Sequence, residues 1–269
     1  MSKNDTYKTI TIEKRGSVDW LCLNRPDAMN ALNITMIDEL VDYFTNLSED
    51  LTVRIVVLKA NGKAFCAGLD LKDSAGFVKE RTPSSVYLFQ KRIAKIYIAM
   101  RKCPQPIIAL IQGAACGGGF SLALAADIRI AGESAKMNAA YITIGLSGCD
   151  MGSSYFLPRL VGTSIASELL LTGRFIRAQR ALAVNLVSEV VAEEELDSAA
   201  QTYVDDMLRT SPFGLRLTKD GINLGVDAAS LEAAMAIEDR QQILASFTQD
   251  SKEAVRAFLG KREPDYKDC

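Results

Sequence analysis

Residues 107–132, "IIALIQGAACGGGFSLALAADIRIAG", place two short aliphatic runs on either side of an apolar stretch that three consecutive glycines open. "IIALIQG" and "DIRIAG" read as buried strands, and "GGGFSLALAA" between them reads as a helix. Strand, helix, strand at such short spacing demands a layered α/β arrangement. The preceding chain fits the same scheme. "YKTITIEKR" alternates as a strand, "SVDWLCLNR" follows after a turn at Gly16, and "VRIVVLKA" is a β-branched buried run. From Thr35 onward, Met36, Ile37, Leu40, Val41, Phe44 and Leu47 fall at helical spacing, ending in "SED". The expected fold is α/β with repeated ββα-type units. Beyond about residue 160 the pattern becomes one helix after another, with strand character only in "VSEVV". Residues 1–199 are expected to form the core, and residues 200–269 a helical region packed on that core or on another subunit.

At 269 residues and 48% hydrophobic, the chain can bury a large core as one domain with a helical appendage. Its 31 basic and 33 acidic residues leave a net charge of -2, which does not point to nucleic acid or a membrane surface as partner. "MSKNDTYKTITIEKR" lacks the apolar centre of a signal peptide, and no run reaches the ~18 apolar residues of a membrane span. "EPDYKDC" matches neither the peroxisomal nor the endoplasmic-reticulum type of C-terminal address, and the expected location is cytoplasmic. Six cysteines lie scattered without C-x-x-C pairing and read as reduced, mostly buried residues. There is no histidine. That excludes Ser-His-Asp and Cys-His catalysis and nearly every ordinary zinc site, so no metal is expected.

The glycines match neither phosphate motif. No G-x-x-x-x-G-K-[ST] string exists, and a G-x-G-x-x-G begun at Gly117 reaches Leu122 where its last glycine should stand. Two readings remain. Unpaired N–H groups at a helix start, at the positive end of its dipole, form a cradle for a developing oxyanion, and glycine lets the oxygen approach. A second donor from a turn such as "CAGLD" (residues 66–70) would complete it. Alternatively, the glycines only permit close packing.

"RPDAMNAL", "AFCAGLDL", "GAACGGGFSLALAADIRIA" and "EAVRAFLGKREPDY", in this order over nearly the whole chain, resemble the crotonase superfamily of enoyl-CoA hydratases and isomerases. The resemblance implies a spiral of ββα units with a C-terminal helical trimerisation region, hence a homotrimer or a dimer of trimers. It implies a coenzyme A thioester substrate and no cofactor beyond that coenzyme A. By position, the thioester oxygen would sit between the backbone amides of Leu69 and Gly118, with the Leu69 side chain lining the acyl pocket. Segments around Ala28 and around Ala67 and Gly68 would hold the pantetheine and adenine ends. Phe258 and Lys261 resemble residues lining the acyl and nucleotide ends, in some members across a subunit boundary. Asp70 and Asp127 read as structural.

Hydratases of this family use two glutamates that share a water, and their positions here carry Ser121 and Tyr141. An unaided serine is no base, and tyrosine titrates near ~10, which argues against that route and leaves both as lining for the substrate. Asp150 remains. Its spacing to Gly152 and Pro158 resembles that of the carboxylate in Δ3,Δ2-enoyl-CoA isomerases, which need one acid/base to move a proton from C2 to C4. Its other reading is a cap for the following helix. Partial burial beside Leu146, Met151 and Phe156 would raise its pKa. Cys66, Cys116 and Cys149 read as small filler, since no histidine exists to activate a thiol. An isomerase is therefore expected, with two alternatives: a hydratase working through Asp150 or an activated water, and a silent acyl-CoA binder. The loop at residues 72–87 should set pocket depth.

Overall fold

The computed structural model describes residues 7–74 and 82–269. Residues 1–6, and the 75–81 part of the loop expected to set pocket depth, lie outside the described residues. The main sheet begins as an antiparallel hairpin, β1 (Ile10–Arg15) and β2 (Val18–Leu23), turning at Gly16. It continues in parallel through β3 (Ile55–Ala60), β4 (Ile107–Ile111), β6 (Ile128–Gly132) and β9 (Glu189–Val191). A second, smaller sheet joins β5 (Ala114–Cys116), β7 (Lys136–Asn138) and β8 (Ile176–Arg177). Its strands are two or three residues long, too short to show alternation in the sequence.

Apart from Lys59, Arg129 and Glu189, strands β3, β4, β6 and β9 are apolar or nearly so, because both faces of the sheet are covered. One face, through Leu21, Val56, Leu58 and Ala109, packs on α1 (Ile34–Leu47), α3 (Pro83–Lys102) and α4 (Gly118–Ala125). The opposite face, through Trp20, Val57, Ile108 and Ile130, packs on α7 (Leu196–Leu208). Helix α1 buries Met36, Ile37, Leu40, Phe44 and Leu47 of the expected stripe, with Tyr43 buried beside them and Val41 only partly so, and Asn33 caps it by accepting from Met36 N at 2.9 Å. Such a cap contributes about 1 kcal/mol. A short α2 (Leu71–Ser74) precedes α3. Helix α5 (Ser153–Thr172) is broken at Gly162, whose φ of 76° and ψ of 163° are not helical, so it runs as two pieces. α6 (Ala178–Ala183) follows.

The boundary expected at residue 200 cuts through α7. Leu196, Ala200 and Val204 are all buried against the sheet, so α7 belongs to the core and the appendage starts after it. The appendage is α8 (Pro212–Gly225), α9 (Leu231–Ser246) and α10 (Gln249–Gly260). Lys219 of α8 is buried and donates to Met100 O and Gln105 O, at 3.2 and 2.8 Å, and pairs with Asp127 at 3.0 Å. A buried charge held by three partners ties α8 to its own core. α9, by contrast, buries none of its residues. Among the described residues no helix is long and apolar enough to cross a membrane.

Candidate active site

The two small-residue stretches come together as one floor. Cys66 N donates to Ala114 O at 3.0 Å, and Cys116 N donates back to Cys66 O at 2.9 Å. Gly68, at φ +93°, lies so near that a Cβ there would stand 2.7 Å from Cys116 O. The glycine triplet has separate causes at each position. Gly117 adopts φ 50° and ψ −118°, a conformation open to glycine almost alone. Gly118 is closed in by Leu32, Tyr97 and Met151, and a Cβ on Gly119 would collide with the Cys66 carbonyl. Close packing and an oxygen cradle are therefore not rivals: the packing brings the donors together. Gly68 O accepts from Leu32 N at 2.7 Å and Asp70 N donates to Leu32 O at 3.0 Å, passing over the amide between them. Among the described residues neither Leu69 N–H nor Gly118 N–H has an acceptor. Two free donors on touching turns, one of them in the first turn of α4, can receive one oxygen.

The segments of Ala28 and Ala67 meet beside this floor, Ala67 N donating to Met29 O at 3.0 Å. Buried Asn30 fixes the meeting by donating to Asn61 O and Ala64 O at 2.8 and 2.9 Å. Asp70 is bound by Arg25 at 3.0 Å, and Asp127 by Arg101 at 2.8 Å besides Lys219. Both hold structure together. Burial pushes the Cys66 thiol up to about 12 and raises that of Cys116, which leaves neither a useful nucleophile. Phe258 and Lys261 lie elsewhere: Phe258 is 82% exposed on α10, and Lys261 is the left-handed residue that ends it. Neither lines the pocket at Asp150.

Ser121 and Tyr141, the residues at the two glutamate positions, are buried and bonded to each other at 2.6 Å. Tyr141 also donates to Gly117 O at 2.7 Å. Burial raises the tyrosine pKa well above its ordinary value. Both hydroxyl hydrogens are committed to partners inside the protein.

Asp150 lines a pocket of about 520 Å³ with Gln90, Ala94, Tyr97, Met151 and Phe156. Leu146, expected beside it, is exposed and outside this pocket. One carboxylate oxygen, Oδ1, accepts from Gln90 Nε2 and from Met151 N, the latter at 2.8 Å. Oδ2 has no partner among the described residues. Half-burial raises the Asp150 pKa, against the pull of those two hydrogen bonds. The side chain does not cap α5, whose first residue is preceded by Gly152 with no side-chain bond; only the Asp150 carbonyl accepts from Ser153 N, at 2.9 Å. Met151, at φ +48°, joins this wall to the floor, its sulfur 3.2 Å from the Tyr97 hydroxyl and 3.3 Å from where a Gly118 Cβ would be. A non-glycine residue at positive φ is strained, and such strain gathers at functional sites. Gln90 and Tyr97 were not signalled by the sequence. Both come from α3, and their partners lie 60 and 21 positions away.

Comparisons with known proteins place the chain in a family. The chain matches the family model described as Enoyl-CoA hydratase/isomerase over residues 13–269. It is 38% identical over 269 residues to a Mycobacterium bovis protein named "Probable enoyl-CoA hydratase echA12", covering 98% of this chain and 94% of that one. It is 33% identical over 246 residues to the 1,2-epoxyphenylacetyl-CoA isomerase of Escherichia coli, covering 91% and 93%. The crystal structure of an enoyl-CoA hydratase from Bacillus anthracis superposes with a TM-score of 0.92 at 33% identity, over 97% of this chain and 100% of that one. With its ordered motifs, its two-sheet core and its glycine floor, the chain belongs to the enoyl-CoA hydratase/isomerase family of the crotonase superfamily.

Proposed function

We propose that the protein is an enoyl-CoA isomerase that moves a double bond in a fatty acyl-CoA thioester with one carboxylate. The observation that carries this reading is the contrast at the floor. Asp150 is half-buried with one oxygen held and one free, whereas the two hydratase positions carry neutral hydroxyls bonded to the protein. In the proposed reaction the thioester oxygen of a 3-enoyl-CoA accepts from Leu69 N–H and Gly118 N–H. Asp150 Oδ2 takes a proton from C2. The electron pair moves onto the oxygen as an enolate conjugated with the C3–C4 double bond. Asp150 then returns its proton to C4 and the double bond becomes C2–C3, with no net change in composition. A raised carboxyl pKa favours that exchange, because it narrows the gap to the carbon acid. No cofactor is needed beyond the coenzyme A that the substrate carries.

The segments of Ala28, Ala67 and Gly68 would hold the coenzyme's pantetheine and adenine ends. Phe258 and Lys261 would reach a site only in a neighbouring copy. The appendage supports such an assembly: Phe247, Phe258 and Leu259 are 80%, 82% and 76% exposed, and α9 buries nothing within its own chain. A homotrimer or dimer of trimers is expected in sedimentation, and a monomer at micromolar concentration would count against it.

A second reading, hydration, is favoured by the name of the Mycobacterium bovis relative. Product mass separates the two. A 3-enoyl-CoA converted to a product of unchanged mass, with conversion lost in Asp150→Asn, supports isomerisation. A gain of one water from a 2-enoyl-CoA supports hydration. Tight acyl-CoA binding with neither product would leave only a silent binder.

A further inference from the structure

Ser121 and Tyr141 stand where they can act on the floor through its own peptide. Gly117 C=O and Gly118 N–H are the two ends of a single planar peptide group. A carbonyl oxygen only accepts, so Tyr141 gives its one hydrogen to Gly117 O at 2.7 Å. The 2.6 Å contact behind it must then have Ser121 donating to the tyrosine oxygen. Gly117 O accepts once more from Ser121 N at 3.0 Å. With Ser121 fully buried and Tyr141 5% exposed, this chain of bonds lies in a medium of low dielectric. There, linked hydrogen bonds strengthen one another by roughly 10–30% each. Drawing charge from the carbonyl end of a peptide leaves its N–H end a stronger donor. The other cradle peptide, Gly68–Leu69, is also bonded at its carbonyl, but by a backbone group, Leu32 N. Tyr97 donates at 3.0 Å to Gly118 O, which belongs to the next peptide and acts on the Gly119 amide instead.

We infer that Tyr141, backed by Ser121, is a positioning residue that strengthens the Gly118 N–H as a donor to the thioester oxygen, acting through the Gly117–Gly118 peptide. The positions that hold acids in hydratases would thus contribute polarisation here and no proton transfer. The inference rests on Gly118 N–H being a thioester donor, as proposed above.

The test is isotope-edited infrared spectroscopy of hexanoyl-CoA carrying carbon-13 at its carbonyl, bound at saturation to the full-length protein. Four forms are compared: the parent, Tyr141→Phe, Ser121→Ala, and protein with 3-fluorotyrosine at position 141 alone. In the parent, the carbonyl band should fall below its position in water. Tyr141→Phe should return part of that fall, and Ser121→Ala a smaller part. The fluorinated ring, a more acidic phenol and a stronger donor, should lower the band further. A residue that only filled space would not reverse sign with donor strength. Turnover of a 3-enoyl-CoA should follow, Tyr141→Phe lowering kcat about two- to eightfold with KM little changed. That range is 10–30% of the logarithmic effect of deleting an oxyanion donor. If the parent band does not move on binding, the donor reading itself fails. If it moves but is unaltered in both Tyr141→Phe and the fluorinated protein, this inference alone is overturned. Should Tyr141→Phe fail to fold, the fluorinated protein keeps the ring and hydroxyl and decides by itself: a lower band supports the inference, and an unchanged or higher one overturns it.

Discussion

Two walls adjoin the same glycine floor, and they differ in what their polar atoms are free to do. On one, Ser121 and Tyr141 have both hydroxyl hydrogens committed, the last of them to the Gly117 carbonyl. On the other, Asp150 has one oxygen held by Gln90 and Met151 N, and its second oxygen unpartnered among the described residues. Both walls adjoin the floor, and nearness alone does not qualify a group for proton transfer. A free lone pair, and a pKa moved toward the working range, distinguish the Asp150 wall.

The largest expected break of that contrast is Asp150→Asn, which keeps the shape and removes the base. Isomerase turnover should fall by about 10²–10⁴, the usual contribution of a positioned acid/base. A loss under tenfold would return Asp150 to a structural role. A middle-sized effect comes from Gln90→Ala, expected to lower kcat severalfold. The Gln90 bond favours the charged carboxylate, so losing it raises the Asp150 pKa. The low-pH limb of kcat/KM, which reports the ionised base, should therefore move to higher pH. A limb that stays fixed while kcat falls would mean that Gln90 only packs.

The smallest effect is on stability. Burial holds the Asp150 carboxyl above its ordinary value, so the folded chain binds this proton more tightly than the unfolded one. The charged form therefore costs the fold something at neutral pH. The cost fades as the pH falls through the raised value towards the ordinary carboxylate range. Asp150→Asn should raise Tm at pH 7 by roughly a degree or two, allowing for solvent screening. Melting curves should show the difference closing on acidification; a widening difference would contradict the assignment of the shift to burial.

The floor was legible in the sequence because its requirements are local. A triple glycine before an apolar helix, and a small-residue turn beside a cysteine, announce backbone that something must approach. The strands of the main sheet were legible for a similar reason, as β-branched runs. Helix α3 was not. Its twenty residues mix buried Ile93, Ile96, Tyr97 and Met100 with exposed Tyr87, Leu88 and Ile98, which blurs the apolar stripe. The contributions of Gln90 and Tyr97 depend on partners far along the chain. Ser121 and Tyr141 were recognised by position, but the direction of their bonds needed coordinates. A boundary at residue 200 falls inside α7 because α7 and the helices after it have similar composition, while only α7 packs under the sheet.

The collision awaiting any side chain at Gly119 has a consequence for how this scaffold can change. Cys66 O blocks residue 119, Cys116 O blocks residue 68, and Tyr97 and Met151 crowd residue 118. The floor therefore admits almost no single substitution, and its two turns form a lock in which neither half can vary alone. The walls carry no such restriction, since Ser121, Tyr141 and Asp150 meet it through exchangeable side chains. A library aimed at new thioester chemistry would leave the glycines alone and vary these three wall positions, each able to carry an acid, a hydroxyl or neither beside the same floor.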